Sequence, residues 1–271
     1  MFETFMINAF ETSAIVAIVS GVVGFFTVLR GAAFAAHAIP NGAFAGAAGA
    51  SLLGISKLVG LGVFALVGAV LIAALGRRSR SDVATALTVA LLLGLGDLFL
   101  SRSEEYSAQV FALLFGDILG VASYQIVPTA LLGLACILVI LMLYRPLLLS
   151  SVVPDVAEAR GISPRWMDLA FLIILALVTT MAVPIVGAFL IFSLLIGPAA
   201  AARAFTDRPL PAMVMSSCIA LVVVWAAIAV SYTTNLPVGF FVGSFSGLCY
   251  GLGRGWAIWG DRLRMSGRPA G

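Results

Sequence analysis

The sequence predicts an all-α protein, a polytopic bundle of transmembrane helices, and three observations predict it. The 271 residues are 62% hydrophobic and only 10% charged, with a mean hydropathy of +1.16, which excludes an ordinary soluble domain. The apolar stretches reach the roughly 20 residues that a helix needs to cross the hydrocarbon of a bilayer. They lack the alternation of apolar and polar residues that marks an outer-membrane barrel.

Nine apolar stretches are predicted to cross the membrane, within a single transmembrane domain that covers residues 1–271. In chain order they are Thr12–Leu29, Ala33–Ile55, Leu58–Leu75, Val83–Ser101, Ile126–Leu143, Leu169–Val183, Ile185–Ala202, Met213–Tyr232 and Val238–Leu252. The apolar run from Leu169 to Ala202 has two interpretations. It forms either two short spans hinged near Pro184 or one long span with a re-entrant piece, and the second interpretation leaves eight crossings.

The placement of basic residues favours nine crossings. With two spans between Leu169 and Ala202, one side of the membrane collects 13 of the 15 basic residues, and only Lys57 and Arg102 lie opposite. The 13 are Arg30, Arg77, Arg78, Arg80, Arg145, Arg160, Arg165, Arg203, Arg208, Arg254, Arg262, Arg264 and Arg268. Since a single span would turn the arginine-rich C-terminus to the other face, we expect the N-terminus outside and the C-terminus in the cytoplasm.

Acidic residues dominate the outer half in this topology. They are Glu3, Glu11, Asp97, Glu104, Glu105 and Asp117. This excess of negative charge either raises the local concentration of cations, which favours a cationic substrate, or merely follows from the retention of basic residues inside. Asp97 and Asp117 are candidates for a vestibule through which a substrate enters the path. Asp97 has a structural alternative, in which it accepts a hydrogen bond from a neighbouring hydroxyl.

A polar pair interrupts the second predicted span. His37 is the only histidine, and Asn41 follows it one helical turn later. Residues four apart share a face of a helix, so the imidazole and the amide could together line a path through the membrane. Alternatively, the two form a hydrogen-bonded pair that positions neighbouring helices.

Small residues indicate close helix packing. Gly42 and Gly46 have GxxxG spacing, which permits two backbones to approach each other either within one chain or between two copies. Gly187 and Pro198 are also assigned to helix packing.

The sequence shows no nucleotide-binding or catalytic signature. It has no GxxxxGK[ST] phosphate loop, no HExxH motif and no second histidine to complete a multi-histidine metal site. We therefore expect no catalytic residue, no cofactor and no nucleic-acid partner, and a membrane enzyme is disfavoured. A transporter of this kind draws energy from an ion gradient or from a separate ATPase. A gradient-driven carrier of a small cationic solute is expected to show inverted repeats and charged relays, so a partner ATPase fits better.

The loop 153–168 predicts a short cytoplasmic helix at Val156–Arg160. Pro154 can start such a helix, and Gly161 can end it before the next span. Two acidic residues near its beginning favour the N-terminal end of the helix dipole. The segment is either a rigid handle for a partner ATPase or an ordinary amphipathic connector.

Five motifs in the same order give the chain a resemblance to the ABC-3 family, the membrane permease subunits of zinc and manganese ABC importers. FFTVLRGAAF resembles the opening FxVLRR signature of that family, with Gly31 in place of the second arginine. The other four are AHAIPNGAFAGAAGA, LFGDILGVAS, VAEARGIS and VGAFLIFSLLIGPAAAARAF. Together they cover nearly the whole chain.

The resemblance implies a fold like that of type II ABC importers, in a multi-pass protein of the inner or plasma membrane. It implies import of a divalent transition metal ion, whether zinc, manganese or iron, at the interface with a second permease copy. A dimer of cytoplasmic ABC ATPases would hydrolyse ATP, and an extracytoplasmic metal-binding protein would deliver the ion. The residues implied in ATPase coupling are Val156, Ala157, Glu158, Arg160 and Gly161.

One departure from the family concerns the metal path. Many members carry an aspartate in the second span and a histidine four residues later, and the nearest counterparts here are His37 and Asn41. An imidazole and an amide form an uncharged, weaker site, which helps a transported ion to leave, and two copies could supply four ligands. The resemblance therefore implies transient metal binding at these two residues.

Overall fold

The computed structural model describes residues 4–76, 81–102 and 113–266, and all regular structure in those ranges is helical, which confirms the predicted fold class. The helices are α1 Thr4–Leu29, α2 Ala33–Leu53, α3 Lys57–Leu75, α4 Ser81–Leu100, α5 Ser123–Val152, α6 Pro154–Ala159, α7 Pro164–Val186, α8 Ala188–Phe205, α9 Pro209–Thr234 and α10 Val238–Ser266. Seven of the charged residues on which the predicted topology rests lie outside the described residues: Glu3, Arg77, Arg78, Arg80, Glu104, Glu105 and Arg268.

The predicted multi-span architecture is confirmed. Within the described ranges, seven helices are long and apolar enough to cross a membrane: α1, α3, α4, α5, α7, α8 and α9. Helices α2 and α10, of 21 and 29 residues, coincide with the second and ninth predicted spans. Helix α2 is less apolar because alanine and glycine, together with His37, Pro40 and Asn41, replace larger aliphatic side chains.

The apolar run from Leu169 to Ala202 forms two helices, α7 and α8. They meet at Gly187, whose φ of 88° and ψ of 157° lie in a region that is essentially open to glycine alone. A Cβ at this position would lie 2.4 Å from the backbone nitrogen of Gly116. The break therefore falls at Gly187 and not at Pro184, which is accommodated inside the last turn of α7.

Polar contacts define the two ends of the bundle. Near the start of α1, Asn8 Nδ2 donates a hydrogen bond to Ser123 Oγ at the start of α5, over 3.0 Å. Just after α1, Arg30 donates to Ser150 Oγ near the end of α5, also over 3.0 Å. Helices α1 and α5 are therefore parallel. We call the end that holds Arg30 the basic end, because the described arginines other than Arg102 lie there, and the opposite end, with Asp97 and Asp117, the acidic end.

Helix α7 is the centre of the bundle, since it contacts α1, α2, α3, α5 and α8 and is buried along most of its length. Helix α2 packs on α3 and α4 through its glycines. A Cβ on Gly46 would lie 2.0 Å from the carbonyl oxygen of Gly60 in α3, and one on Gly42 would lie 2.6 Å from Leu92 Cδ1 in α4. The GxxxG spacing of α2 therefore serves close packing within one chain, which holds the helix that carries His37 in a fixed place.

Candidate functional site

Helix α2 brings the imidazole of His37 and the amide of Asn41 into direct contact. Asn41 Nδ2 donates to the His37 carbonyl oxygen at 2.7 Å and lies 3.3 Å from His37 Nε2. On the other side of the ring, His37 Nδ1 is buried and has no hydrogen-bond partner in the described part of the chain. The ring also contacts Phe192 of α8 edge to face, with 5.2 Å between ring centroids.

These two residues line a cavity of about 520 Å³ between α2, α4 and α8, which we call the His37 cavity. Its lining consists of Phe34, His37, Asn41, Phe44, Val89, Leu93, Asp97, Leu100, Leu114 and Phe189. Three of the four residues predicted to line a path therefore meet in one cavity. The third is Asp97 of α4, which is exposed and adds a carboxylate to the imidazole and the amide.

The donor atoms of the His37 cavity are nitrogen and oxygen, and its lining includes no cysteine. Among the described residues, no three His, Cys, Asp or Glu side chains are clustered closely enough to hold a metal ion. The cavity of one chain thus combines an imidazole, an amide and a carboxylate with otherwise apolar walls. Such an arrangement allows weak, multi-site binding, which a substrate needs in order to leave again.

Asp117 lies outside the His37 cavity. Its Oδ1 accepts a hydrogen bond of 2.9 Å from the Gly120 amide, within a turn at the acidic end. The exposed carboxylate lines a separate cavity of about 600 Å³ between α3, α5 and α7, together with Lys57. The two aspartates predicted for a vestibule are therefore not brought together.

A third cavity, of about 410 Å³, opens at the basic end between the α1–α2 turn, the end of α3 and the starts of α4 and α7. We call it the inner cavity. Its charged lining residues are Arg30, Asp82, Arg165 and Asp168. Phe34, one turn before His37 on α2, lines both this cavity and the His37 cavity. Its ring is therefore a shared wall between the two.

Arg30 has a role in packing that the sequence does not predict. Its side chain is only 7% exposed and forms an ion pair with Asp168 at the start of α7. It also donates to Ser151 Oγ at 2.8 Å, near the end of α5, and its guanidinium lies 5.6 Å from the ring centroid of Phe171. In the sequence Arg30 is one of many basic residues at a span end. The charge pattern alone therefore does not predict that it joins α5 to α7.

We expect Arg30→Ala to destabilise the protein by ~2–3 kcal/mol, because several hydrogen bonds from a buried charge are lost together. Arg30→Lys should recover only part of this loss, since a lysine cannot reproduce the fork of guanidinium donors. Thermal unfolding of the detergent-purified protein measures both effects. Arg145→Ala, at an exposed arginine of the same end, is the control and should leave the melting temperature unchanged.

The loop between α5 and α7 contains the predicted short helix, α6, which begins at Pro154 and ends at Ala159. Two hydrogen bonds of 2.9 Å close its C-terminus, from the Gly161 amide to the Glu158 carbonyl and from the Ile162 amide to the Ala157 carbonyl. With Gly161 at a φ of 78°, this is a Schellman motif. The helix starts and ends slightly earlier than predicted, because proline occupies its first position.

Helix α6 presents an exposed surface at the basic end. Ala157 is fully buried and fixes the helix against the bundle, whereas Val156 is 41% exposed. Glu158 and Arg160 are exposed too. Arg30 joins the two helices that flank this loop, so α6 is mounted on a rigid base.

A multi-span bundle with a cavity that holds an imidazole, an amide and a carboxylate fits a membrane transport protein. Comparison with known proteins defines the class further. The ABC 3 transport family matches residues 2–248. The chain is 33% identical over 237 residues to the manganese import system permease protein ScaB of Streptococcus parasanguinis, covering 87% of this chain and 84% of the relative. It is 30% identical over 238 residues to the manganese transport system membrane protein MntC of Listeria monocytogenes, covering 87% of this chain and 85% of that relative.

A solved structure has the same fold. A chain of PsaBC from Streptococcus pneumoniae, determined in complex with a Fab, superimposes with a TM-score of 0.84 at 28% sequence identity, covering 93% of this chain and 91% of that one. The chain belongs to the ABC 3 transport family. It is accordingly a multi-pass protein of a cell membrane and a transporter permease, as the motif order predicts.

Proposed function

We propose that this chain is the permease subunit of an ABC importer that carries manganese ions across the cell membrane. The observation that carries the proposal is the His37 cavity, a polar site with oxygen and nitrogen donors between membrane helices of an ABC 3 family member. The manganese permeases among its relatives favour this ion over zinc and iron. The chain itself would not hydrolyse ATP, which is the task of separate ATPase subunits.

Asp97 gives the cavity the hard ligand that manganese prefers. Carboxylate and carbonyl oxygens suit Mn²⁺, whereas imidazole is shared with zinc and iron. The second span lacks the aspartate of many family members, and the carboxylate of Asp97 on α4 faces the same cavity from another helix. We infer that Asp97 supplies the acid of the path at a point nearer the acidic end, and that His37 and the amide oxygen of Asn41 bind the ion after it.

The proposed path runs from the acidic end to the basic end. Asp97 receives the ion, His37 and Asn41 bind it in passing, and Phe34 separates them from the inner cavity, where Asp82 faces the exit. The positive-inside rule assigns the basic end to the cytoplasm, so the N-terminus lies outside and the C-terminus inside. A second copy of the chain completes the path and adds ligands, and an extracytoplasmic binding protein supplies the ion.

Helix α6 is the proposed docking site for the ATPase. Its exposed Val156, Glu158 and Arg160 form a small mixed surface at the basic end, held in shape by the Schellman motif at Gly161. Movement of a docked ATPase would reach α2 through Arg30, because this side chain contacts both ends of the loop and lies just before α2 in the chain.

Uptake of radioactive manganese into proteoliposomes tests the proposal. The vesicles contain the chain together with its partner ATPase and binding protein, and uptake is measured with ATP, without ATP and under a proton or sodium gradient. We expect uptake only with ATP and an intact ATPase, with weak competition from zinc and iron. Gradient-driven uptake by the chain alone would instead identify a secondary transporter, and an absence of ATP-dependent manganese uptake would refute the proposed substrate.

A further inference from the structure

A separate cavity at the basic end carries chemistry that the transport path does not use. Its volume is about 490 Å³, and it lies between the end of α1, the end of α8, the loop before α9 and α10. Two arginines line it, Arg203 in the last turn of α8 and Arg254 of α10. Neither belongs to the His37 cavity or to the inner cavity.

A close contact between α8 and α10 lies beside the two arginines. A Cβ on Gly253 would lie 3.0 Å from the Cα of Ala201 and 3.2 Å from its carbonyl oxygen, so only a glycine fits there without displacement of α8. Arg254 directly follows Gly253 in α10, and Arg203 comes two residues after Ala201 in α8. The contact holds α8 and α10 together beside the cavity that both arginines line.

Neither arginine is neutralised by an acid within reach. In the part of the chain that the structure describes, neither Arg203 nor Arg254 has a carboxylate oxygen within 4.0 Å, although Asp207 lines the same cavity. Two guanidinium groups against one carboxylate leave a net positive charge on the lining. Arginine binds phosphate and carboxylate groups through two parallel hydrogen bonds, so a cavity with two such side chains is suited to an anionic group such as a phosphate.

The aromatic lining locates the cavity at the depth of lipid headgroups. Tyr250 and Trp256 of α10 line it, and the Trp256 ring contacts Phe205, the last residue of α8, with 6.3 Å between centroids. Tyrosine and tryptophan concentrate where the hydrocarbon meets water, because each combines an apolar ring with a polar group. A ligand here meets both arginines and apolar ring faces.

From this combination we propose that the cavity binds the headgroup of an anionic phospholipid from the leaflet at the basic end. The phosphate would lie between Arg203 and Arg254, and the glycerol and first acyl carbons would contact the aromatic rings. Basic pockets between transmembrane helices bind anionic headgroups in this manner. We assign the phosphate to a lipid because aromatic and aliphatic side chains line the cavity beside the arginines. The glycerol and acyl carbons of a lipid would contact these side chains, whereas a free phosphate would not.

Native mass spectrometry of the full complex, extracted from nanodiscs of phosphatidylcholine with and without phosphatidylglycerol, tests the proposal. We expect the wild type to retain phosphatidylglycerol selectively and to gain thermal stability from it. Near an anionic surface, each arginine changes lipid affinity about fivefold, so Arg203→Gln with Arg254→Gln should weaken retention about 25-fold. Arg145→Gln, an exposed arginine of the same end outside the cavity, is the matched control and should retain the lipid.

The double variant Arg203→Lys with Arg254→Lys keeps both charges, and it controls for misfolding of the glutamine variant. It should retain more lipid than the glutamine variant. The wild-type comparison of the two lipids needs no variant at all. Equal retention of the zwitterionic and the anionic lipid would overturn the proposal. The proposal would also be overturned if glycerol phosphate or inorganic phosphate, without any anionic lipid, gave the same thermal stabilisation.

Discussion

Replacing His37 with alanine is expected to reduce manganese uptake about tenfold or more while the amount of protein in the membrane stays normal. His37 is the only imidazole that a metal ion could meet along the proposed path, because the chain has no other histidine. The fold should persist in this variant, because Asn41 Nδ2 keeps its hydrogen bond of 2.7 Å to the backbone carbonyl oxygen of residue 37. Radioactive manganese uptake, normalised to immunoblotted protein, measures the effect.

Two further variants separate a ligand from a structural residue. Ser216→Ala removes a buried polar group of α9 outside the cavity, and should leave uptake unchanged. His37→Asp combined with Asn41→His restores the pair found in many family members, and should recover manganese uptake. If His37→Ala transports manganese at the wild-type rate, the histidine serves only as the partner of Asn41, and the ligand assignment is wrong.

Composition and local chemistry predicted the architecture, because both act over short stretches of chain. Each predicted span required only enough apolar residues to cross the hydrocarbon, and helices of the described chain coincide with all nine. Helix α6 followed from Pro154 and Gly161, whose backbone preferences operate within a few residues. The hinge between α7 and α8 was misplaced because proline is the stronger signal in a sequence, whereas the close approach of Gly116 that requires Gly187 is tertiary.

The sequence predicted a direct contact within the candidate site only between residues that share one helix. His37 and Asn41 are one turn apart on α2, and their contact follows from helix geometry. Asp97 of α4 lines the same cavity, and Phe192 of α8 contacts the His37 ring. Both follow from packing between helices that no local pattern encodes. The same reason explains the miss of Arg30, whose partners lie more than a hundred residues away in the chain. Asp117 also lies at the acidic end of the bundle but lines a separate cavity, so its place on the path stays a prediction.

Gly161→Val is expected to abolish co-purification of the ATPase while the permease still inserts into the membrane. Gly161 has a φ of 78°, and a left-handed conformation costs a residue with a Cβ ~1–2 kcal/mol, most of all a β-branched one. A helix of six residues has few other interactions to offset that strain, so its C-terminal hydrogen bonds should open. The exposed surface of Val156 and Glu158 would then lose its fixed shape. The stoichiometry of ATPase to permease after affinity purification measures the loss.

Two matched variants isolate the docking role from a general effect of strain. Gly161→Asn should retain the ATPase, because asparagine adopts the left-handed conformation more readily than other residues with a side chain. Gly54→Val imposes the same strain, at a φ of 66° with open space around the Cβ, but at the acidic end of the bundle. It should leave ATPase binding intact, since the proposed ATPase surface on α6 lies at the opposite end. Equal loss of the ATPase from both valine variants would mean that strain acts through the whole permease, and full retention by Gly161→Val would exclude α6 as the handle.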